Sequence, residues 1–191
     1  MKKDIILAGV GGQGILSIAT VIGRAAVANG MYLKQAEVHG MSQRGGDVQS
    51  HLRISTEPIC SDLIPEGKAD LIISVEPMES LRYLPMLHAD GWVITNNVPF
   101  KNVPDYPSDT DLEKAMKSVK NMIAFNADQL AKEIGSPRSA NMVILGAAAD
   151  KLGLPYEEFE KAVAAIFAAK GEDIVNANLK AMASGREQSK K

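Results

Sequence analysis

Gly9-Val10-Gly11-Gly12-Gln13-Gly14 has the spacing G-x-G-x-x-G, which suits an anionic ligand. Glycines permit a tight turn and let a phosphate approach the backbone, and the N-terminus of a following helix carries partial positive charge. Glu37 lies near the end of the second expected strand, where a dinucleotide fold places the acid that holds a ribose. A nicotinamide- or flavin-nucleotide site is therefore one reading of the pair. Two features oppose it. No crossover helix follows Glu37 before the next strand, and no histidine with a carboxylate partner offers a catalytic base in a convincing context. Glycine turns also form where helices or subunits approach closely, so the turn alone is as readily structural.

The second polar group is residues 39–46, His39-Gly40-Met41-Ser42-Gln43-Arg44-Gly45-Gly46. The segment is too short for a crossover helix and too rich in glycine for a strand. Arg44 is always charged and presents its donors as a fork, and Gly45 and Gly46 let the backbone pass a neighbour closely. The plain alternative is an ordinary turn with Arg44 in a surface ion pair, worth little. Metal chemistry finds no support in the sequence. Cys60 is the only cysteine, short of the several thiolates of an iron–sulfur cluster and of any internal disulfide. His39, His51 and His88 lack metal-ligand spacing.

These groups need elements to hold them. Residues 3–9 read as a buried strand ending in the glycine turn, and Leu16, Ala19, Ile22, Gly23, Ala26 and Val27 recur at helical spacing over 15–29. A second strand is expected over 32–38. Residues 47–54 alternate, with Val48, Ser50, Leu52 and Ile54 on one face and Asp47, Gln49, His51 and Arg53 on the other. That predicts a half-buried strand, antiparallel because no crossover precedes it. Further strands are expected over 69–76, 91–96 and 121–126. Helices are expected over 78–88 (opened by Pro77), 109–118 and 127–134, and then over 139–152, 156–169 and 172–184. Asn141 falls at the start of an apolar helix, as a cap-region residue or a ligand contact, and Gly146 is expected to allow close helix packing. The expected fold class is α/β: three layers, α/β/α, with a mixed, mostly parallel sheet and a helical C-terminal part. Residues 1–184 are expected to form one domain and 185–191 a flexible tail.

Composition narrows the function classes. Lys+Arg number 21 against Asp+Glu 23, a net charge of -2, so there is no electrostatic footprint for nucleic acid. Mean hydropathy near zero argues against membrane spanning. Lys2 and Lys3 before Ile5-Ile6-Leu7 imitate a signal peptide, but Asp4 and the early glycines interrupt the pattern. A cytoplasmic protein is expected.

Three motifs in order carry more than any one of them: residues 9–15 (GVGGQGI), residues 36–46 (AEVHGMSQRGG) and residues 141–146 (NMVILG). Together they resemble the gamma-type subunit or domain of 2-oxoacid:ferredoxin oxidoreductases, and the form of residues 39–46 is most like the beta subunits of the indolepyruvate-type enzymes. The resemblance covers essentially the whole chain except its tail. It implies oxidative decarboxylation of a 2-oxoacid with coenzyme A to acyl-CoA and carbon dioxide, with reduction of ferredoxin. It also implies thiamine diphosphate, magnesium and iron–sulfur clusters. None of these is expected on this chain: Gly46-Asp47 is followed by Val48, and Asn96-Asn97 lies too far along to complete a thiamine-diphosphate motif. They belong instead on a larger catalytic alpha subunit. The expectation is then that His39, Ser42, Gln43, Arg44, Gly45 and Gly46 face that partner near its active site. Gly11, Gly12, Gln13, Gly14 and Asn141 are expected to touch coenzyme A or the partner.

Overall fold

Every residue from Asp4 to Val10 is buried, the mark of a strand covered on both faces. In the computed structural model, which describes residues 1–39 and 45–190, this strand, β1 (Lys2–Val10), lies inside a six-stranded sheet of order β2-β3-β1-β4-β5-β6. The others are β2 (Tyr32–His39), β3 (Asp47–Ser55), β4 (Ala69–Ser74), β5 (Leu87–Asn96) and β6 (Met122–Phe125). β3 pairs antiparallel with both β1 and β2, and the pairs β1–β4, β4–β5 and β5–β6 are parallel. The sheet is mixed and mostly parallel, as expected.

Helices cover both faces. α1 (Ile15–Ala28), α4 (Ala127–Glu133), α5 (Ala140–Ala149), α6 (Tyr156–Phe167) and α7 (Glu172–Gln188) share one core with Ile5, Leu7, Leu52, Ile54, Leu71 and Ile73. On the opposite face Ile6, Ala8, Ile72 and Val93 meet Ile64 and Tyr83, beside α2 (Pro77–Arg82) and α3 (Asp109–Lys117). No helix among the described residues is long and apolar enough to cross a membrane.

Three expectations need correction. β3 is not half-buried: His51 and Arg53, placed on its polar face, are 7% and 8% exposed. The cause is position, since β3 lies between two strands and residues 61–64 lie over its second face. Ile64 N donates to His51 Nδ1 at 3.0 Å, and Arg53 Nη1 donates to the carbonyls of Ser61 and Leu63. The helix expected over 78–88 stops at Arg82, and β5 starts at Leu87, ahead of the expected 91. Pro85 lacks an N–H and disfavours helix at the residue before it, leaving a 3-10 turn over Leu84–Met86. The expected tail is helical from 185 to 188, because α7 runs to Gln188. There Arg186 Nη2 meets Asp150 Oδ1 at 2.9 Å and the guanidinium stacks 4.1 Å from the Tyr156 ring centroid.

α5 and α7 cross at glycines. A methyl built on Gly146 would overlap the Met182 carbonyl, and one on Gly185 the Val143 carbonyl. The close packing expected at Gly146 is thus present, with Gly185 as its unforeseen counterpart.

Candidate functional site

α1 and β2 lead away from β1 on one side of the sheet, and β4, β5 and β6 follow on the other. The carboxyl ends of β1 and β4 are therefore a topological switch point, where open α/β sheets carry their ligand crevice. The glycine turn lies there. Gln13 closes it: its Oε1 accepts from Val10 N at 2.8 Å and its N–H donates to Val10 O at 3.1 Å. Gly12 (φ 100°) and Gly14 (φ 82°) are left-handed, a conformation that strains any residue with a Cβ.

Asn141 Nδ2 donates to Gly14 O at 3.1 Å, and its Oδ1 accepts from Met142 N at 3.0 Å. The cap position of α5 is held by Ser139, which makes no side-chain cap bond. Asn141 therefore fastens α5 to the glycine turn, and a methyl on Gly14 would stand 2.6 Å from its Nδ2. Gly12, Gln13 and Asn141 line a cavity of about 340 Å³ with Asn96, Asp128 and Arg138. An adjoining cavity of about 600 Å³ adds Gly14, Ser17 and Lys170. Arg138 and Lys170 are cations that no sequence motif marked. A larger cavity of about 660 Å³ lies elsewhere, between α3 and β6.

Gly45 and Gly46 come against the same turn. Gly11 N donates to Gly46 O at 2.9 Å, Asn102 Nδ2 donates to Gly45 O at 2.6 Å, and Tyr83 hydroxyl donates to Asp47 Oδ2 at 2.7 Å. His39 ends β2 opposite Val48. Its side chain and Ser42, Gln43 and Arg44, expected in the loop, lie outside the described residues.

Glu37 is not brought to the turn. β3 separates its strand from β1, which sets β2 about 10 Å from β1 at ordinary strand spacing. Glu37 Oε1 accepts from Gln35 Nε2 at 2.6 Å. A ribose held at the turn would have to reach across β3, and the dinucleotide reading finds no support.

Buried acids support the rim. Glu76 is fully buried and caps α2: its Oε2 accepts from Glu79 N at 2.8 Å. Its Oε1 accepts from Phe100 N at 3.2 Å and from the Tyr106 hydroxyl, which ties the proline loop after β5 to the end of β4. Burial and this carboxylate push the Tyr106 hydroxyl well above its ordinary range. Pro77 marked the start of α2 in the sequence; the Glu76 cap and the reach of Asn102 and Tyr106 were not legible there.

His51 offers a pH test. Burial, then the Arg53 charge, lower its pKa, so the neutral ring accepting from Ile64 N belongs to the folded state. Its contribution is present above the unfolded value of about 6.5 and is lost as pH falls through the folded value. Between pH 8 and pH 5 the purified chain is expected to lose more urea stability than its His51→Asn variant. Parallel pH curves would contradict this.

Among the described residues no three of His, Cys, Asp and Glu group as a metal site, and Cys60 is exposed. A family model described as pyruvate ferredoxin/flavodoxin oxidoreductase matches residues 4–188. The chain is 40% identical over 167 residues to the indolepyruvate oxidoreductase subunit IorB of Thermococcus kodakarensis, covering 83% of this chain and 82% of that protein. It is 36% identical to the subunit of the same name from Archaeoglobus fulgidus, covering 98% and 96%. The keto/oxoacid ferredoxin oxidoreductase gamma subunit of Geobacter sulfurreducens superposes with a TM-score of 0.71 at 25% identity over 98% of each chain. The 2-oxoglutarate:ferredoxin oxidoreductase of Magnetococcus marinus shares the fold, with a TM-score of 0.78 at 22% identity over 99% of this chain and 31% of that one. The chain belongs to the pyruvate ferredoxin/flavodoxin oxidoreductase family.

Proposed function

We propose that this chain is the small subunit of a 2-oxoacid:ferredoxin oxidoreductase of the indolepyruvate type, working in the cytoplasm. The observation that carries this reading is the correspondence with subunits named IorB, 36% identity over 98% of this chain and 96% of the Archaeoglobus fulgidus protein. The complex takes a 2-oxoacid and coenzyme A to acyl-CoA and carbon dioxide, and passes the electrons to ferredoxin.

The residues present do not fit the redox groups of that reaction. A cluster needs several thiolates, and the chain has one cysteine, exposed at Cys60. Thiamine diphosphate, magnesium and the clusters are assigned to a larger alpha subunit, and this chain contributes surface. In this reading Gly11, Gly12, Gln13, Gly14 and Asn141 form the floor of a site for coenzyme A or for the partner's backbone. The Arg138 and Lys170 side chains lining the adjoining space suit phosphate. His39, Ser42, Gln43, Arg44, Gly45 and Gly46 face the partner's active site.

Affinity capture of the tagged chain from its native host tests this reading. A larger subunit carrying thiamine diphosphate and iron is expected to co-purify, and the pair should reduce a viologen with indolepyruvate and coenzyme A. In that complex Arg44→Ala is expected to lower turnover without releasing the partner. A chain that purifies alone, or a captured complex inert toward every 2-oxoacid, contradicts the proposal.

A further inference from the structure

The two edges of the sheet are finished differently. β6 is four residues long, and so short an edge offers little to another chain. β2 is eight residues long, keeps unbroken register with β3 from Tyr32 to His39, and contains no proline. Its outer edge pairs with no strand among the described residues. It is also the only strand among them with exposed large hydrophobic side chains: Tyr32 is 51% exposed, Leu33 36% and Val38 47%. Lys34, the one lysine on this edge, is drawn onto Asp62 at 2.8 Å. A long, flat, apolar edge is a template for a further strand.

We propose that β2 is an interface with a second copy of this chain, the two strands pairing antiparallel across a two-fold axis to make one continuous sheet. The order of residues along the strand selects this occupant. A two-fold normal to the sheet opposes side chains that leave the same face, so each admissible register centres on one residue. Centred on Lys34 or on Glu37, the pairing opposes like charges, which destabilises it. Centred on Ala36, it sets Lys34 against Val38 of the second copy and carries Tyr32 past the end of the strand. Centred on Gln35, it sets Tyr32 against Val38 of the second copy, Leu33 against Glu37 and Lys34 against Ala36, each twice. No like charges then meet, and an aromatic side chain opposite a β-branched one is a favourable cross-strand pair. Registers centred nearer either end pair fewer residues.

The surroundings of β2 suit this pairing. Lys34 and Ala36 lie opposite Arg53 and His51 of β3, so Tyr32 and Val38 share the face over which residues 61–64 fold. Leu63, exposed on that segment next to Asp62, adds apolar surface to the seam. On the other face Leu33 packs against α1: a methyl built on Gly23 would stand 3.0 Å from Leu33 Cδ2, which holds that side chain in place before a second copy arrives. A net charge of -2 gives two copies little mutual repulsion. The inference stands apart from the proposed reaction, because the edge of the sheet alone carries it, and β3 separates β2 from the strand that bears the glycine turn.

Sedimentation equilibrium of the full chain at micromolar concentration is expected to give twice the 20.4 kDa of one copy. The double variant Tyr32→Lys, Val38→Lys sets lysine against lysine at both outer pairs, and is expected to be a monomer with unchanged circular dichroism. In a Cys60→Ser background, Gln35→Cys is expected to give a disulfide-linked dimer on mild oxidation, because directly opposed Cβ atoms lie about 4.5–5.5 Å apart. Ala36→Cys leaves its two thiols on a diagonal of about 7–8 Å and is expected to stay largely uncoupled. In the captured complex the Gln35→Cys cross-link is expected between two copies of this chain. A wild-type chain that sediments as a monomer, a lysine variant that stays dimeric, or a cross-link from position 35 to the larger subunit overturns the proposal. Coupling at position 36 in place of 35 overturns its register.

Discussion

Gly146→Ala is expected to destabilise the chain by about 3 kcal/mol or to prevent its folding, at the upper end of overpacking costs. The added methyl would overlap the Met182 carbonyl oxygen and lie 2.7 Å from its carbon. Both are backbone atoms of α7, so no rotamer change relieves the clash and the whole helix must move. That movement opens the core where Met142, Val143 and Met182 are fully buried. Gly185→Ala is expected to behave alike, because its methyl would meet the Val143 carbonyl in the same way. Elsewhere the same substitution has the opposite sign: alanine in an exposed helix interior is favoured over glycine by about 1 kcal/mol. Urea unfolding of both variants checks the expectation, and a loss below 1 kcal/mol in each would contradict the close crossing of α5 and α7.

Breaking the Asp4–Arg53 pair is expected to cost about 3–5 kcal/mol, as for other buried pairs deprived of one partner. Arg53 Nε donates to Asp4 Oδ1 at 2.8 Å and Nη2 to Asp4 Oδ2 at 3.0 Å, with the two side chains 9% and 3% exposed. Arg53→Met leaves Asp4, among the described residues, with the Lys2 ammonium, 2.8 Å away on a side chain 55% exposed. It also frees the carbonyls of Ser61 and Leu63, so the cover over β3 loosens. Asp4→Val leaves a buried guanidinium unmatched. The double variant is expected to be more stable than the sum of the two losses, since it removes both charges together. Denaturant unfolding of all four proteins measures the coupling, and simple additivity would contradict a pair that acts as a unit.

The same pair shows where sequence reading reached its limit. The alternation over 47–54 marked β3 as a strand, and the missing crossover marked it as antiparallel; both follow from local pattern. Burial of His51 and Arg53 depends on residues 61–64 folding back over them, which periodicity does not encode. Pro85 was equally visible, yet its effect on the helix expected to 88 appears only when β5 is seen to begin at Leu87. At the candidate site, the glycine turn, Asn141 and Gly45–Gly46 were legible because glycine and asparagine mark special backbone. Asn141 proved to hold the turn from 127 positions away in sequence. Asn102 and Tyr83 carried no local signal, since their roles arise from contacts 57 and 36 positions distant.

The most direct test of a subunit that lends surface but no redox group is reconstitution from separated parts. The proposed larger subunit, purified with the thiamine diphosphate and clusters assigned to it, is titrated with this chain, and viologen reduction by indolepyruvate and coenzyme A is followed. Turnover is expected to rise from near zero to a plateau as the chain is added, and the chain alone is expected to hold no iron and show no activity. Full activity of the larger subunit without this chain, or turnover by this chain unaided, would contradict the account.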